Sequence, residues 1–117
     1  MRHKKNKWAA FTRQQLRTRR AALARQLPNV EATLRGSLQH QSRRCGKAGC
    51  RCNAGELHGP YMYLSVRTTR TRSRLLYIPA DAAEEVSRRI ETTGRIETAL
   101  AEISAINLEL LARGELT

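Results

Sequence analysis

Aromatic side chains are scarce in these 117 residues, with one Trp, one Phe and three Tyr. Any core must therefore be aliphatic and thin, and a chain this short often relies on a metal, a disulfide or a partner subunit. Acids are scarce too over the first two-thirds, where Glu31 and Glu56 stand alone; Asp81 is the single Asp. No paired carboxylates, no Ser-His-Asp set and no phosphate-cradling glycine loop appears, so the sequence points away from an enzyme. There is no run of about 18 apolar residues, which argues against a helical membrane span. The charged N-terminus lacks the apolar stretch of a secretory signal. Cysteine is limited to three residues crowded between positions 45 and 52. An odd, clustered set argues against a disulfide framework and for a reducing compartment, so the expected location is cytoplasmic and nucleoid-associated.

Positive charge is abundant. The net charge is +12, and it divides as +11 over residues 1–44, +5 over 45–79 and −4 over 80–117. This asymmetry predicts a polyanion-binding region joined to an element of another kind. Nucleic acid is the favoured polyanion, with double-stranded DNA first and RNA left open. A membrane surface is disfavoured, because no stretch combines the basic run with a wide apolar face.

The pattern along the chain predicts an α+β fold. Its centre is a small zinc-stabilised β-hairpin or three-stranded sheet, flanked by an N-terminal basic helix and a long C-terminal helix. Three parts are expected: residues 1–36 as basic tail and helices, 37–79 as metal loop and hairpin, and 80–117 as an amphipathic helix. Met1 to Lys7 reads as a mobile basic tail. Trp8 to Leu27 reads as one helix with Leu16, Leu23 and Leu27 in a stripe and Arg13, Arg17, Arg20 and Arg25 opposite. Pro28 ends or kinks it, and Asn29 can cap a short second helix ending at Gly36. Ser37–Arg44 is a candidate strand. Tyr61–Arg67 and Ser73–Ile78 read as a hairpin around the basic tip 68–72. Asp81 then caps a helix running towards Arg113, with Gly114 as its stop. Heptads written from Val86 put Val86, Ile96, Leu100, Ile103, Asn107 and Leu110 on one seam, with Asn107 the polar residue that fixes register. Two outcomes fit that seam equally: a homodimeric coiled coil, or a helix packed on the chain's own N-terminal helix.

The densest chemistry is the spacing Cys45-x4-Cys50-x-Cys52-x5-His58. Zinc takes four soft or borderline donors in a tetrahedron, and short loops between them keep closure entropically cheap. Three thiolates and an imidazole leave about one net negative charge, which Arg43, Arg44, Lys47 and Arg51 offset. The competing reading is three free thiols, or a redox pair Cys50–Cys52. His58 is the preferred fourth ligand and His40 its competitor, with His3 in the tail. A closed set of four makes the ion structural. Arg67, Arg70, Arg72 and Arg74 decorate the hairpin and, with Arg43, Arg44, Lys47, Arg51, Arg13, Arg17 and Arg20, form the expected nucleic-acid contacts. Tyr61, Tyr63 and Tyr77 can stack bases, although strand tyrosines are more often core.

Three blocks carry a resemblance. They are Leu34-Arg35-Gly36-Ser37-Leu38; Cys45-Gly46-Lys47-x-Gly49-Cys50-Arg51-Cys52; and His58-Gly59-Pro60-Tyr61-x-Tyr63-Leu64-Ser65, followed by Tyr77-Ile78-Pro79. Together they resemble a zinc-knuckle-like family of small bacterial proteins of unknown function, often encoded beside transposases and recombinases of mobile elements. The resemblance covers about residues 34–111; Ala48 stands where other members often have Pro. It implies a transposase or recombinase partner. The resulting expectation is a DNA-binding accessory protein of such a system, or else an adaptor that binds the recombinase through its C-terminal helix.

Overall fold

The computed structural model describes residues 6–117; Arg2, His3, Lys4 and Lys5, and with them most of the expected tail, lie outside the described residues. The chain forms two compact units. One holds the described residues up to Ala32 together with Thr93–Thr117, and the other is Thr33–Thr92.

The first unit is helical. A short 3-10 turn, Lys7–Ala10, is opened by the Asn6 side chain, which accepts from the Trp8 amide. Helix α1 spans Arg13–Arg25, so the single helix expected from Trp8 onwards is broken at Phe11–Thr12. Thr12 causes the break. Its hydroxyl accepts from the Gln15 amide at 3.1 Å, and the Gln15 side chain accepts from the Thr12 amide at 2.8 Å. That reciprocal pair satisfies two amides that a helix start leaves open. The short second helix is reduced to a 3-10 turn, Val30–Ala32, which the Asn29 side chain opens by accepting from the Glu31 amide.

Leu16 and Leu23, seven residues apart, lie on one side of α1 and are buried with Trp8 against Ile106 and Leu110; Ile103 packs at the margin. The latter three belong to helix α2, Ala83–Ala112. Polar contacts frame this core. Arg113 pairs with Glu109 at 2.9 Å and donates to the carbonyls of Trp8 and Ala9. Arg19 pairs with Glu102 at 3.1 Å, and Arg20 donates to the Asn107 side chain at 2.7 Å. The order of these contacts makes α1 and this part of α2 antiparallel.

Of the two outcomes open for the α2 seam, packing on the chain's own N-terminal helix accounts for much of it. Ile96 and Leu110 are buried and Ile103 half-buried, all in the helical unit, and Asn107 accepts from Arg20. The stripe is taken by the chain's own α1, and the side chains left in solvent are Leu100, Leu108 and Leu111. Val86 is half-buried in the other unit. Replacing Leu16 by Ala deletes a fully buried side chain. The expected cost is about 2–5 kcal/mol of unfolding free energy. Denaturant titration of the variant checks this; its metal content is expected to be unchanged, because Cys45, Cys50, Cys52 and His58 all lie in the other unit.

The second unit is an antiparallel sheet in the order β1 (Ser37–Arg43), β2 (His58–Arg67), β3 (Ser73–Ile78). Leu64 and Ile78 are buried on its inner face, where Leu38 and Met62, their respective strand partners, are half-buried. Tyr61, Tyr63 and Tyr77 lie on the opposite face. At the tip, the amides of Thr68 and Thr69 both donate to the Arg72 carbonyl, and the Arg72 amide donates to the Thr69 hydroxyl. Arg70 is thereby held at the apex. Asp81 sits inside a 3-10 turn, Ala80–Ala82, that leads into α2 and is not a side-chain cap. Gly114, at φ +71°, ends α2 as expected: its amide donates to the Leu111 carbonyl and the Glu115 amide to that of Leu110.

Candidate metal centre

Cys45 follows β1 by two residues, Cys52 lies in a 3-10 turn (Arg51–Ala54) that Cys50 precedes, and His58 is the first residue of β2. The loop is drawn tight by its own backbone. The Cys50 amide donates to the Lys47 carbonyl, the Asn53 amide to the Cys50 carbonyl, and the Asn53 side chain to the Lys47 carbonyl. Asn53 escaped the sequence reading; its signal is an Asn directly after Cys-x-Cys in a glycine-rich loop. Gly55, at φ +109°, closes the turn in a conformation other residues rarely adopt.

The entry of His58 depends on a β-bulge. Gln41 pairs with Tyr61 but Arg43 pairs with His58, so β2 carries one extra residue there. The shift moves the strand's facing by one residue. Gly59 makes it possible. Its φ is +107°, and a Cβ would stand 2.8 Å from the Tyr61 nitrogen and 2.9 Å from the Gln41 carbonyl oxygen. Both are backbone atoms and have no room to retreat.

The outcome is one cluster. The donor atoms of Cys45, Cys50, Cys52 and His58 all lie within 4.8 Å of one another. Cys45 Sγ and Cys52 Sγ are 3.6 Å apart, and Cys50 Sγ is 3.1 Å from His58 Nε2. An ion about 2.3 Å from each sulfur would set tetrahedral sulfurs about 3.8 Å apart, so the donors fit a four-coordinate metal. The three cysteines are free thiols, with Cys52 buried. His40 is not in the cluster; it sits on β1 opposite Met62 and is exposed.

Electrostatics distinguish the thiols. The Cys52 backbone amide beside the sulfur, helped by the Cys45, His58 and Cys52 side chains, pulls the Cys50 thiol down to about 6. Burial pushes the Cys52 thiol above its usual value, although the Cys45 amide, 3.3 Å from its sulfur, works in the other direction. A lowered thiol pKa adds stability that is complete above the ordinary value and is lost as pH falls through the folded one. Protons also compete with the metal for thiolates. The metal-loaded protein is therefore expected to release its ion as pH falls from about 7 to about 5. A colorimetric chelator follows the release; full retention at the lower pH would contradict this donor set.

The expected nucleic-acid contacts separate into groups. Arg44, Lys47 and Arg51 are exposed on the cysteine loop, and Arg67, Arg70, Arg72 and Arg74 at the turn end of the hairpin. Arg67 pairs with Ser73 and Arg74 with Val66, so these two face opposite sides of the sheet. Arg43 lies over the Tyr63 ring at 4.9 Å and donates to Gln41. Arg13 and Arg17 are exposed on α1. Arg20 differs from these two: half-buried, it donates to the Asn107 side chain and to the Thr117 carbonyl.

A Cys3His cluster beside a three-stranded antiparallel sheet, in a chain that also carries an N-terminal and a long C-terminal helix, defines the class. Residues 13–88 match the family described as "Domain of unknown function (DUF6788)", and the chain belongs to it. The match takes in the basic helix α1, which the resemblance read from the sequence left out, and it ends at Arg88 within α2. No curated protein and no solved structure matches the chain.

Proposed function

We propose that this protein is a zinc-stabilised DNA-binding accessory protein of a transposon or recombinase system. Three cysteines and one histidine suit zinc above harder ions, and four protein donors leave no position for a reacting water. The ion is a staple and the protein is not an enzyme. Its chemistry lies in the basic residues that the staple holds.

The observation that carries the DNA reading is the distribution of charge over the three strands and the loops that join them. Between Ser37 and Ile78 there are eight Lys or Arg residues and one acid, Glu56. Among the described residues, none of those eight is ion-paired to a carboxylate. Unneutralised arginines on a pinned hairpin tip are suited to phosphates, and Arg also reads guanine edges in the major groove. The mobile-element context rests on the resemblance of the cysteine and His-Gly-Pro-Tyr blocks. Fluorescence anisotropy with duplex DNA at low salt tests the reading; a clear shift that salt abolishes is the expected result.

A second reading has its own observation. Leu100, Leu108 and Leu111 are 51, 63 and 58% exposed on α2. Such an apolar helical stripe suits an adaptor that engages a transposase or recombinase subunit. Absence of any duplex shift at low salt would favour it.

A further inference from the structure

The strand registry sorts the sheet's side chains into two faces. Tyr63 is paired with Gln39 on one side and Tyr77 on the other, and Tyr61 is paired with Gln41. Directly paired residues share a face, as do residues two apart along a strand. Tyr61, Tyr63, Tyr77, Gln39 and Gln41 therefore stand together, opposite the buried Leu64 and Ile78. Strand tyrosines are ordinarily covered, but these face water: Tyr77 is 57% exposed and Tyr61 37%.

The rings form one assembly. Tyr77 meets Tyr63 edge-on with centroids 5.8 Å apart and Tyr61 at 6.3 Å. Edge-to-face packing fixes ring orientation while leaving flat π surface free. Tyr63 is already covered by a planar cation, the Arg43 guanidinium. A hollow of about 400 Å³ beside the rings is lined from both faces of the sheet, by Tyr61 and Tyr77 on this one and by Met62 and Ile78 on the other.

Cross-strand aromatic pairing alone would explain the cluster's contribution to sheet stability, but not its surroundings. None of the three strands carries an acid, and the charged residues that the registry places on this face, Arg43 and Arg67, are both basic. A protein partner recruited by so basic a unit would need an acidic surface and would gain little from bare rings. Single-stranded nucleic acid matches both features at once, because its bases stack on aromatic and guanidinium planes while its phosphates meet arginines. Duplex DNA offers only the second match, since its bases are stacked on one another.

We infer that the open sheet face binds single-stranded DNA, with unpaired bases stacked on Tyr77 and Tyr61 and the strand's phosphates met by Arg43 and the hairpin arginines. The side-chain amides of Gln39 and Gln41 flank the rings and offer hydrogen bonds to base edges. This rests on the DNA reading above and extends it: the protein engages DNA where strands are unpaired, as well as along the duplex.

The test compares a poly-dT strand of about 12 nucleotides with a duplex of equal length, at one low salt concentration. Tyr77→Ala and Tyr61→Ala are each expected to weaken single-strand binding about tenfold and duplex binding less than twofold. Tyr77→Phe, which keeps the ring, should retain wild-type affinity. An abasic strand of the same length, which loses both stacks, should bind the wild-type protein more weakly than the intact strand binds Tyr77→Ala. Circular dichroism and metal content establish that each variant is folded. Unchanged single-strand affinity in both alanine variants, or equal binding of the abasic and intact strands, overturns the inference while a duplex shift keeps the DNA reading. Loss of binding to both DNA forms in the wild type removes both. Tenfold tighter binding of the matching RNA overturns the assignment to DNA.

Discussion

Replacing Cys52 by serine is expected to strip the metal from the protein and unfold the Thr33–Thr92 unit. Cys52 is the fully buried donor of the four, and its sulfur also accepts the Cys45 amide. Serine replaces the soft thiolate with a shorter hydroxyl that stays protonated and ligates zinc poorly. The sheet unit has little else to hold it. Its fully covered large apolar side chains are Leu64 and Ile78, and each such side chain contributes about 1.5–3 kcal/mol. Structural zinc in sites of this size contributes about 10–16 kcal/mol at neutral pH. That exceeds what a unit this small retains in net stability, so losing the ion and losing the fold are one event. Amide exchange should show β2 protection collapsing, while α1, whose core is Trp8, Leu16, Leu23, Ile106 and Leu110, keeps its helical signal. Wild-type protection in β2 of the serine variant would show that the metal is dispensable.

Duplex binding is expected to show the second large effect. A protein neutralising about six phosphates loses roughly 10³-fold in affinity between 50 and 200 mM salt. The eight basic residues between Ser37 and Ile78 make six contacts a reasonable demand. Substituting both Arg70 and Arg72 by alanine should then lower the slope of log affinity against log salt by about 2, since each contact contributes about 0.9. Neither side chain has a carboxylate partner among the described residues. Both are exposed, so the variant should melt like the wild type. An unchanged slope would remove the hairpin tip from the interface. A uniform loss of affinity at an unchanged slope would indicate contacts other than phosphates.

Much of this architecture is legible in the sequence, and the gaps have physical causes. The hairpin is announced by β-prone runs on either side of a polar tip and closed by Pro79, and both strands appear where expected. The thiol spacing identifies the cluster. The fourth donor is not decided by spacing, because His40 and His58 are both near in sequence. The choice falls to the bulge at Gly59, a long-range feature of strand registry. The interruption between Trp8 and α1 is written locally, in Thr12-x-x-Gln15, but helix-favouring alanines on both sides mask it. On α2 the apolar period correctly marks a buried stripe, yet a period names a face and not its occupant. Leu110 and Ile103 are covered by the chain's own α1, so the surface available to another molecule is rotated to Leu100, Leu108 and Leu111.

On the reading proposed above, Cys45, Cys50, Cys52 and His58 bind one structural zinc ion on which the sheet unit depends. Native mass spectrometry of the freshly purified protein, combined with elemental analysis, tests it most directly. The predicted result is one zinc per chain, with all three thiols protected from alkylation until a chelator is added. A metal-free, folded protein whose three thiols react at once would contradict it.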